Sequence, residues 1–463
     1  MLSKHLVCCA VIAGSVMFIS GCSLLSPSEF QAPQVTVPDH WQAGGNLLPV
    51  SQTPWWQQFH DSKLDRLIET VLQNNSDLAL ATLTLQKARL QAGLSRSERW
   101  PELSANASAS RSKPLDGGSS SKSYQASVSV SYEADLWGKL AASENAARWQ
   151  AMASAQDRES TAQSLAATGA TLYWQIGYLT QQLALSQQSI DYAQSTLQLM
   201  QRQYAAGAVS KLNVLEAQRN LASQQASHSE FRQQLTQACN ALGTLLNQPQ
   251  PSMLQPDALP QGQMPAIAAG LPASLLQRRP DVKAALYALK SALASKDATY
   301  ASYFPALTLT GSVGDASDEL TALLRNPVGT LGAGITLPFL QWQQRQLNNR
   351  MADIDYQTAV INYRKTLYQA FEDVNNALTA TQQYAYQAEQ LQLQYDAASA
   401  AEKIYESQYR HGAIAIQDWL DAQQNRRSAQ ASLLQNRYQQ LTTQATLYLA
   451  LGGSEIAPML PAE

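Results

Sequence analysis

SYQASVSVSYEADL, residues 123–136, alternates without a break. Tyr124, Ala126, Val128, Val130, Tyr132 and Ala134 fall on one side. Gln125, Ser127, Ser129, Ser131 and Glu133 fall on the other. A period of two is the signature of a strand with one apolar and one polar face. Residues 104–111 alternate in the same way. So do two later stretches: Leu307, Leu309 and Val313 alternate with Thr308, Thr310 and Ser312. Leu331, Ala333, Ile335, Leu337 and Phe339 alternate with Gly332, Gly334 and Thr336. Turn-rich segments, 113–123 and 314–327, lie between the members of each pair. The pattern predicts two hairpins, near residues 102–135 and 305–340, with four strands of about ten residues each.

Working outward from the hairpins, the remaining sequence reads as helix. No proline occurs between Pro114 and Pro249, or between Pro338 and Pro458. Residues 136–204 and 342–409 are rich in Ala, Gln, Leu and Ser, and each would form a rod on the order of 100 Å long. Apolar residues recur in steps of three and four, as in Phe231, Leu235, Ala238, Leu242 and Leu245, or Leu367, Phe371, Val374 and Leu378. Such seams are coiled-coil packing. Gly207 and Gly412 interrupt the pattern three residues after Tyr204 and Tyr409, and predict turns between antiparallel helices.

The chain also repeats itself. Asp77 precedes Pro101 by the same interval that separates Asp281 from Pro305. QYAAGAVSKLNVLEAQ at 203–218 matches QYRHGAIAIQDWLDAQ at 408–423. The expected organisation is a first repeat over 61–250, a Pro-rich linker over 251–272, a second repeat over 273–453 and a tail over 454–463.

The start of the chain has a different character. Residues 1–21 carry an early lysine, an apolar stretch and then small residues, the layout of a secretory signal. Ile19-Ser20-Gly21-Cys22 fits a lipobox, which makes Cys22 the expected lipid acceptor and 22–60 a lipidated extended segment. Ser23 favours the outer membrane. Of four cysteines, Cys8 and Cys9 leave with the signal, so Cys239 remains alone and no disulfide framework is available. A net charge of −3 gives no sign of a nucleic-acid partner. The five scattered histidines show no metal spacing. No phosphate-binding loop, dinucleotide fingerprint or nucleophile elbow occurs. The sequence therefore predicts no enzyme and no cofactor.

Four strands with one apolar face cannot stand alone in hydrocarbon, because open edges leave backbone groups unpaired at several kcal/mol each. Outer-membrane barrels begin at about eight strands. Three chains supply twelve, with Gln125, Ser127 and Thr308 facing a wet interior. The expected fold is mainly α with a membrane β-barrel: a homotrimeric twelve-stranded barrel continuous with a long α-helical coiled-coil barrel.

These residues carry a resemblance. The lipobox, TPWWQQFHDSKLDRLI (53–68), SYEADLWGKL (131–140), LLQRRPDVKAA (275–285) and the two glycine turns resemble the outer membrane factor family of tripartite efflux systems. These are the TolC-like channels, and the likeness is greatest to their lipoprotein branch. The resemblance implies a passive outer-membrane export duct, extending into the periplasm. A periplasmic adaptor (membrane fusion protein) and an inner-membrane transporter, driven by protons, would feed it. It also implies an acidic periplasmic gate, here Asp418 and Asp421, with the adaptor docking at the turns marked by Tyr204, Gly207, Tyr409 and Gly412. The first half has Asn213 and Glu216 at the equivalent places and so keeps one charge of two. Where the family has a gate-tying basic residue two positions after the glycine, this chain has Ile414. Without the gate, Asp418 and Asp421 would be the wetted face of a coil.

Other residues read as structural. Trp55 and Trp56 predict packing at a domain start. Arg278 and Arg279 predict a tether for the loop that opens the second half rather than an anion site. Tyr124 and Tyr132 fit either an interfacial belt or ordinary strand positions, and Cys239 fits an inert core thiol. A surface-anchored trimeric coiled-coil structural or adhesive lipoprotein is the alternative function.

Overall fold

The computed structural model describes residues 28–38, 41, 54–249, 256, 258–265 and 278–453. Cys22 with its signal segment, most of the Pro-rich linker and the C-terminal tail fall outside these residues. Seven α-helices and four strands are described: α1 (Ser62–Asn74), α2 (Ser76–Ser97), β1 (Glu102–Ser112), β2 (Ser121–Ala134), α3 (Lys139–Ala205), α4 (Lys211–Leu245), α5 (Pro280–Ala301), β3 (Ala306–Ser317), β4 (Val328–Thr336), α6 (Trp342–Arg410) and α7 (Ile416–Ala450). The two long helices, 67 and 69 residues, follow the proline-free stretches closely. The chain divides into two compact units. One comprises 83–155 and 284–365 with the start of the chain; the other comprises 36–82, 156–283 and 366–463.

The first unit carries the sheet, a four-stranded antiparallel meander in the order β1-β2-β3-β4. Both hairpins are present, with two shifts at their ends. β4 stops at Thr336, so Leu337 and Phe339, read as strand residues, leave the ladder. Pro338 is the reason: it has no N–H to donate and opens a short 3₁₀ turn, Pro338–Leu340. β3 instead runs to Ser317, into the expected turn. Asp315 there accepts from the Asn326 amide at 3.2 Å and closes the loop.

Below β2 the motif YEADLWGK works as a joint. The Asp135 carboxylate accepts from the Leu140 and Ala141 amides at 3.1 and 2.8 Å, satisfying donors that the start of α3 leaves open. Trp137 donates to the Pro305 carbonyl at 2.7 Å and packs on Phe304. Arg99 pairs with Glu144 at 2.7 Å. Near α5, Trp149 and Tyr287 stack at 5.7 Å, and the Lys290 ammonium lies over Trp149, Tyr287 and Phe30. Ser28 donates its amide and hydroxyl to Asp297 at 2.9 and 2.6 Å, which pins the extended start of the chain to α5.

The second unit holds the main apolar core. Leu64, Leu67, Ile68 and Val71 of α1 are fully buried against Trp174 and Leu179 of α3, Leu242 of α4 and Leu441 of α7. Trp55 and Trp56 belong to this core: Trp55 stacks on Tyr448 at 5.3 Å, and both indoles are buried. Packing is therefore their observed role. Asp61 caps α1 and accepts from the Tyr173 hydroxyl at 2.8 Å. Asn75 caps α2 and donates to the Leu245 carbonyl at 2.9 Å, tying helix starts to helix ends.

Arg279 is buried at the head of α5. It meets Asp281 at 2.7 Å and Asp373 at 3.0 Å, and donates to the Ala450 carbonyl at 3.2 Å. Burial opposes its charge, but the bonds to both aspartates outweigh this and raise its pKa. The guanidinium thus joins the start of α5 to α6 and to the end of α7. Cys239 packs against the core, half-buried, and burial raises its thiol pKa, as befits an unreactive interior thiol.

Candidate functional site

Two features of the chain can serve transport: the sheet and the helix turns. In the sheet, residues directly opposite in neighbouring strands share a face. Leu103 lies opposite Val130, Val128 opposite Val313, and Leu309 opposite Ala333. The apolar sets of all four strands therefore combine into one continuous face. Gly311 sits in its middle, where an added Cβ would stand 3.1 Å from Val130 and 3.4 Å from Leu331. The missing side chain lets Val130 and Leu331 approach across β3.

That face is bare. Leu331 is 92% exposed and Leu103 74%. The opposite face carries Ser104, Gln125, Ser127, Ser129, Thr308, Thr310 and Ser312, with Ser104 and Ser129 hydrogen-bonded at 2.8 Å. Among the described residues the outer edges of β1 and β4 have no strand partner. Tyr124 and Tyr132, half-buried, lie on the apolar side with Val128 and Val130.

The helix turns share one geometry. Gly207 and Gly412 take φ of 73° and 72°, left-handed values that cost a side-chain-bearing residue roughly 1 kcal/mol or more. In the first turn the Gly207 amide donates to the Tyr204 carbonyl at 3.0 Å and Ala208 to Gln203 at 2.8 Å. In the second, Gly412 donates to Tyr409 and Ala413 to Gln408, both at 2.9 Å. This pairing closes the ends of α3 and α6. Lys211 lies over the Tyr204 ring at 5.6 Å, and Tyr409 stacks on Trp419 at 5.2 Å. Both expected turns are present, with Tyr204 exposed beneath the Lys211 ammonium and Tyr409 stacked on Trp419.

Asp418 and Asp421 lie exposed on one face of α7, three residues apart. Asp418 occupies the first turn of the helix, where the helix dipole favours a negative charge. Asp421 accepts from Gln417 at 3.0 Å. Asn213, the uncharged counterpart of the first turn, accepts from the Ser210 amide and hydroxyl at 3.2 and 2.7 Å, so it serves as a cap. Glu216 is exposed. Ile414 precedes α7, and Ile416 packs with Met200 and Val214.

An arginine–tyrosine pair, whose tyrosine feels the Asp421 charge, escaped the sequence reading. Arg427 is buried and stacks over the Tyr192 ring at 4.3 Å. Burial pushes the Tyr192 hydroxyl pKa up, and the Asp421 carboxylate adds to the shift. Burial lowers that of Arg427. A second arginine, Arg426, pairs with Glu402. The sequence signal was the doublet Arg426-Arg427 itself, five and six residues beyond Asp421.

The sequence profile of the outer membrane efflux proteins matches residues 67–248 and 271–453. The chain belongs to the outer membrane efflux protein family. An antibiotic efflux pump outer membrane protein of Pseudomonas putida, ArpC, is 32% identical over 474 residues, covering 98% of this chain and 96% of that protein. The probable outer membrane lipoprotein SilC of Salmonella typhimurium is 27% identical, covering 95% and 97%. The open state of the Neisseria gonorrhoeae MtrE outer membrane channel superposes with a TM-score of 0.80 at 32% identity, covering 93% of this chain and 98% of MtrE. This outer membrane efflux protein is thus an outer-membrane channel serving an efflux system, in a family of transport conduits working with adaptor and inner-membrane partners. No helix among its described residues is long and apolar enough to cross a membrane.

Proposed function

We propose that three copies of this efflux protein close their sheets into a twelve-stranded barrel, β4 of each copy pairing with β1 of the next. The observation that carries this is the four-stranded sheet with one continuous apolar face and two unpaired edges. In lipid each unpaired backbone group costs on the order of several kcal/mol, and pairing edge to edge removes the cost. The Ser-, Thr- and Gln-rich face then lines a wet passage, and the helices continue the conduit into the periplasm. The two halves, 61–250 and 273–453, act as sequence repeats of one unit around the 251–272 linker. The profile matching twice supports this.

Energy comes from the partners, since the sequence carries no nucleotide-binding motif: a proton-driven inner-membrane transporter delivers cargo through a periplasmic adaptor. The adaptor docks at the turns around Tyr204, Gly207, Tyr409 and Gly412, and Asp418 and Asp421 form an acidic gate beside them. The signal over 1–21 is removed and Cys22 takes a lipid that holds the chain to the outer membrane. The lipobox supports this, as does the lipoprotein description of SilC. Labelled palmitate should enter the wild-type chain and not Cys22→Ser; equal labelling would reject the assignment.

Barrel closure is tested by disulfide trapping between edges. Ala105 of β1 and Ala333 of β4 both lie on the apolar face. A chain carrying Ala105→Cys, with a second cysteine moved along β4 through Leu331, Ala333 and Ile335, should yield a covalent band of three chains at one register. Bands of one chain throughout, from protein that still conducts ions, would refute closure between copies.

A further inference from the structure

The apolar face of the sheet ends in charge. On β1 that face runs Leu103, Ala105, Ala107, Ala109, Arg111, and on β2 it runs Val130, Val128, Ala126, Tyr124, Lys122. The ladder sets these residues directly opposite in that order, so Arg111 stands across from Lys122. Directly opposite residues have Cβ atoms about 5 Å apart, and like charges so placed repel. Both side chains are exposed, and Lys113 follows at the head of the turn. Among the described residues none of these three cations is in an ion pair. Asp116, Asp318 and Glu319 of the two turns form no ion pair there either. Asp315, on the same face, lies opposite Ala126, nearer the helices than Lys122, and holds the Asn326 amide at 3.2 Å. Two cations gain nothing from each other at this place, and their pairing calls for an anion.

We infer that Arg111 and Lys122 bind the phosphate-bearing head group of an outer-leaflet lipid on the outside of the barrel. This rests on the barrel closure proposed above, in which the apolar face meets lipid and the 113–120 turn points away from the periplasm. Tyr132 and Tyr124 then mark the two ends of the apolar band on β2. The strand between them, tilted by roughly 40°, rises about 21 Å, close to the ~25 Å of an outer-membrane apolar band. Arg111 and Lys122 stand two residues beyond the level of Tyr124, roughly 5 Å higher, at the depth of head groups. They lie on the lipid side and not in the passage. Below Arg111 the alanines of β1 leave a shallow, exposed trough, with Tyr124 beside Ala109. An acyl chain of the same lipid fits there. The phosphate takes charge-assisted bonds from the Arg111 fork and the Lys122 ammonium, and serves both cations as one counter-ion. Free phosphate has no chain for the trough, so the lipid is the occupant.

The test uses the full-length channel in neutral detergent, with lipid A carrying two phosphates as the probe and thermophoresis as the readout. The unaltered chain should bind it saturably, and the same lipid stripped of phosphate far more weakly. Arg111→Gln with Lys122→Gln should bind the phosphorylated lipid about thirtyfold more weakly. Arg111→Lys should keep most of the affinity. Lys87→Gln with Arg89→Gln removes the same charge from α2 and should change nothing. Equal binding of the two lipids would overturn the site, as would an equal loss from the α2 pair. Inorganic phosphate bound as tightly as the lipid would overturn the lipid as occupant. The comparison of the two lipids on the unaltered chain decides the matter even where the double variant fails to fold. The edge cross-link between β1 and β4, run in parallel, separates this site from closure. If the edges cross-link and no phosphorylated lipid binds, the site is wrong and closure stands. If the edges do not cross-link, closure and the site fall together.

Discussion

Leu331→Arg is expected to abolish stable insertion of the channel, whereas Ser129→Arg leaves it inserted. Leu331 stands on the apolar face of β4, and Ser129 on the polar face of β2. An arginine facing lipid at the bilayer midplane costs about 2–4 kcal/mol. In the proposed trimer three copies multiply that to about 6–12 kcal/mol, comparable with the whole stability of a domain. The polar face of the proposed barrel, by contrast, leaves an arginine in water. Heat-resistant oligomer in outer-membrane fractions is the measurement. Equal yields of the two variants would mean that the bare face does not meet lipid, and the barrel would need another arrangement of the sheet.

The second large effect concerns the proposed gate. Neutralising both carboxylates, Asp418→Asn with Asp421→Asn, should reduce cation selectivity and sensitivity to divalent ions in planar bilayers. Three Asp421 groups about a common axis, roughly 8 Å apart in water, repel by about 1–2 kcal/mol in total. Such a ring repels anions and gathers cations, more strongly in low salt. The closed state then depends on packing, and the Arg427–Tyr192 stack lies in the same neighbourhood. Alanine at both aspartates, which also removes the Gln417 bond to Asp421, should raise conductance as well. Unchanged selectivity, divalent sensitivity and conductance in both variants would leave the aspartates as a wetted helix face and place the gate elsewhere.

Local physics made much of this protein readable in advance. Strand positions followed from alternation in 123–136 because successive side chains must point to opposite faces. The long helices followed from proline-free stretches, and the turns at Gly207 and Gly412 from the one residue type that takes positive φ without strain. The end of β4 was misread: alternation was carried through Pro338 to Phe339, although proline cannot donate to a ladder. Asp418 and Asp421 on one face followed from their spacing.

What the tertiary structure decided lies in pairs distant along the chain. Arg279 meets Asp373 and the Ala450 carbonyl, Trp55 stacks on Tyr448, and Arg427 covers Tyr192. No periodicity encodes such partners, because they depend on which helices pack together and at what rotation. The same holds for the register of β2 against β3, which joins the two hairpins and merges their apolar faces into one. A slip of one residue there would turn Val313 to the wet side. Sequence by itself therefore determined the elements, their faces and the positions of the turns. Only packing decided which buried charges are satisfied and how the hairpins combine, since burial and hydrogen bonding are properties of neighbours in space rather than of neighbours in sequence.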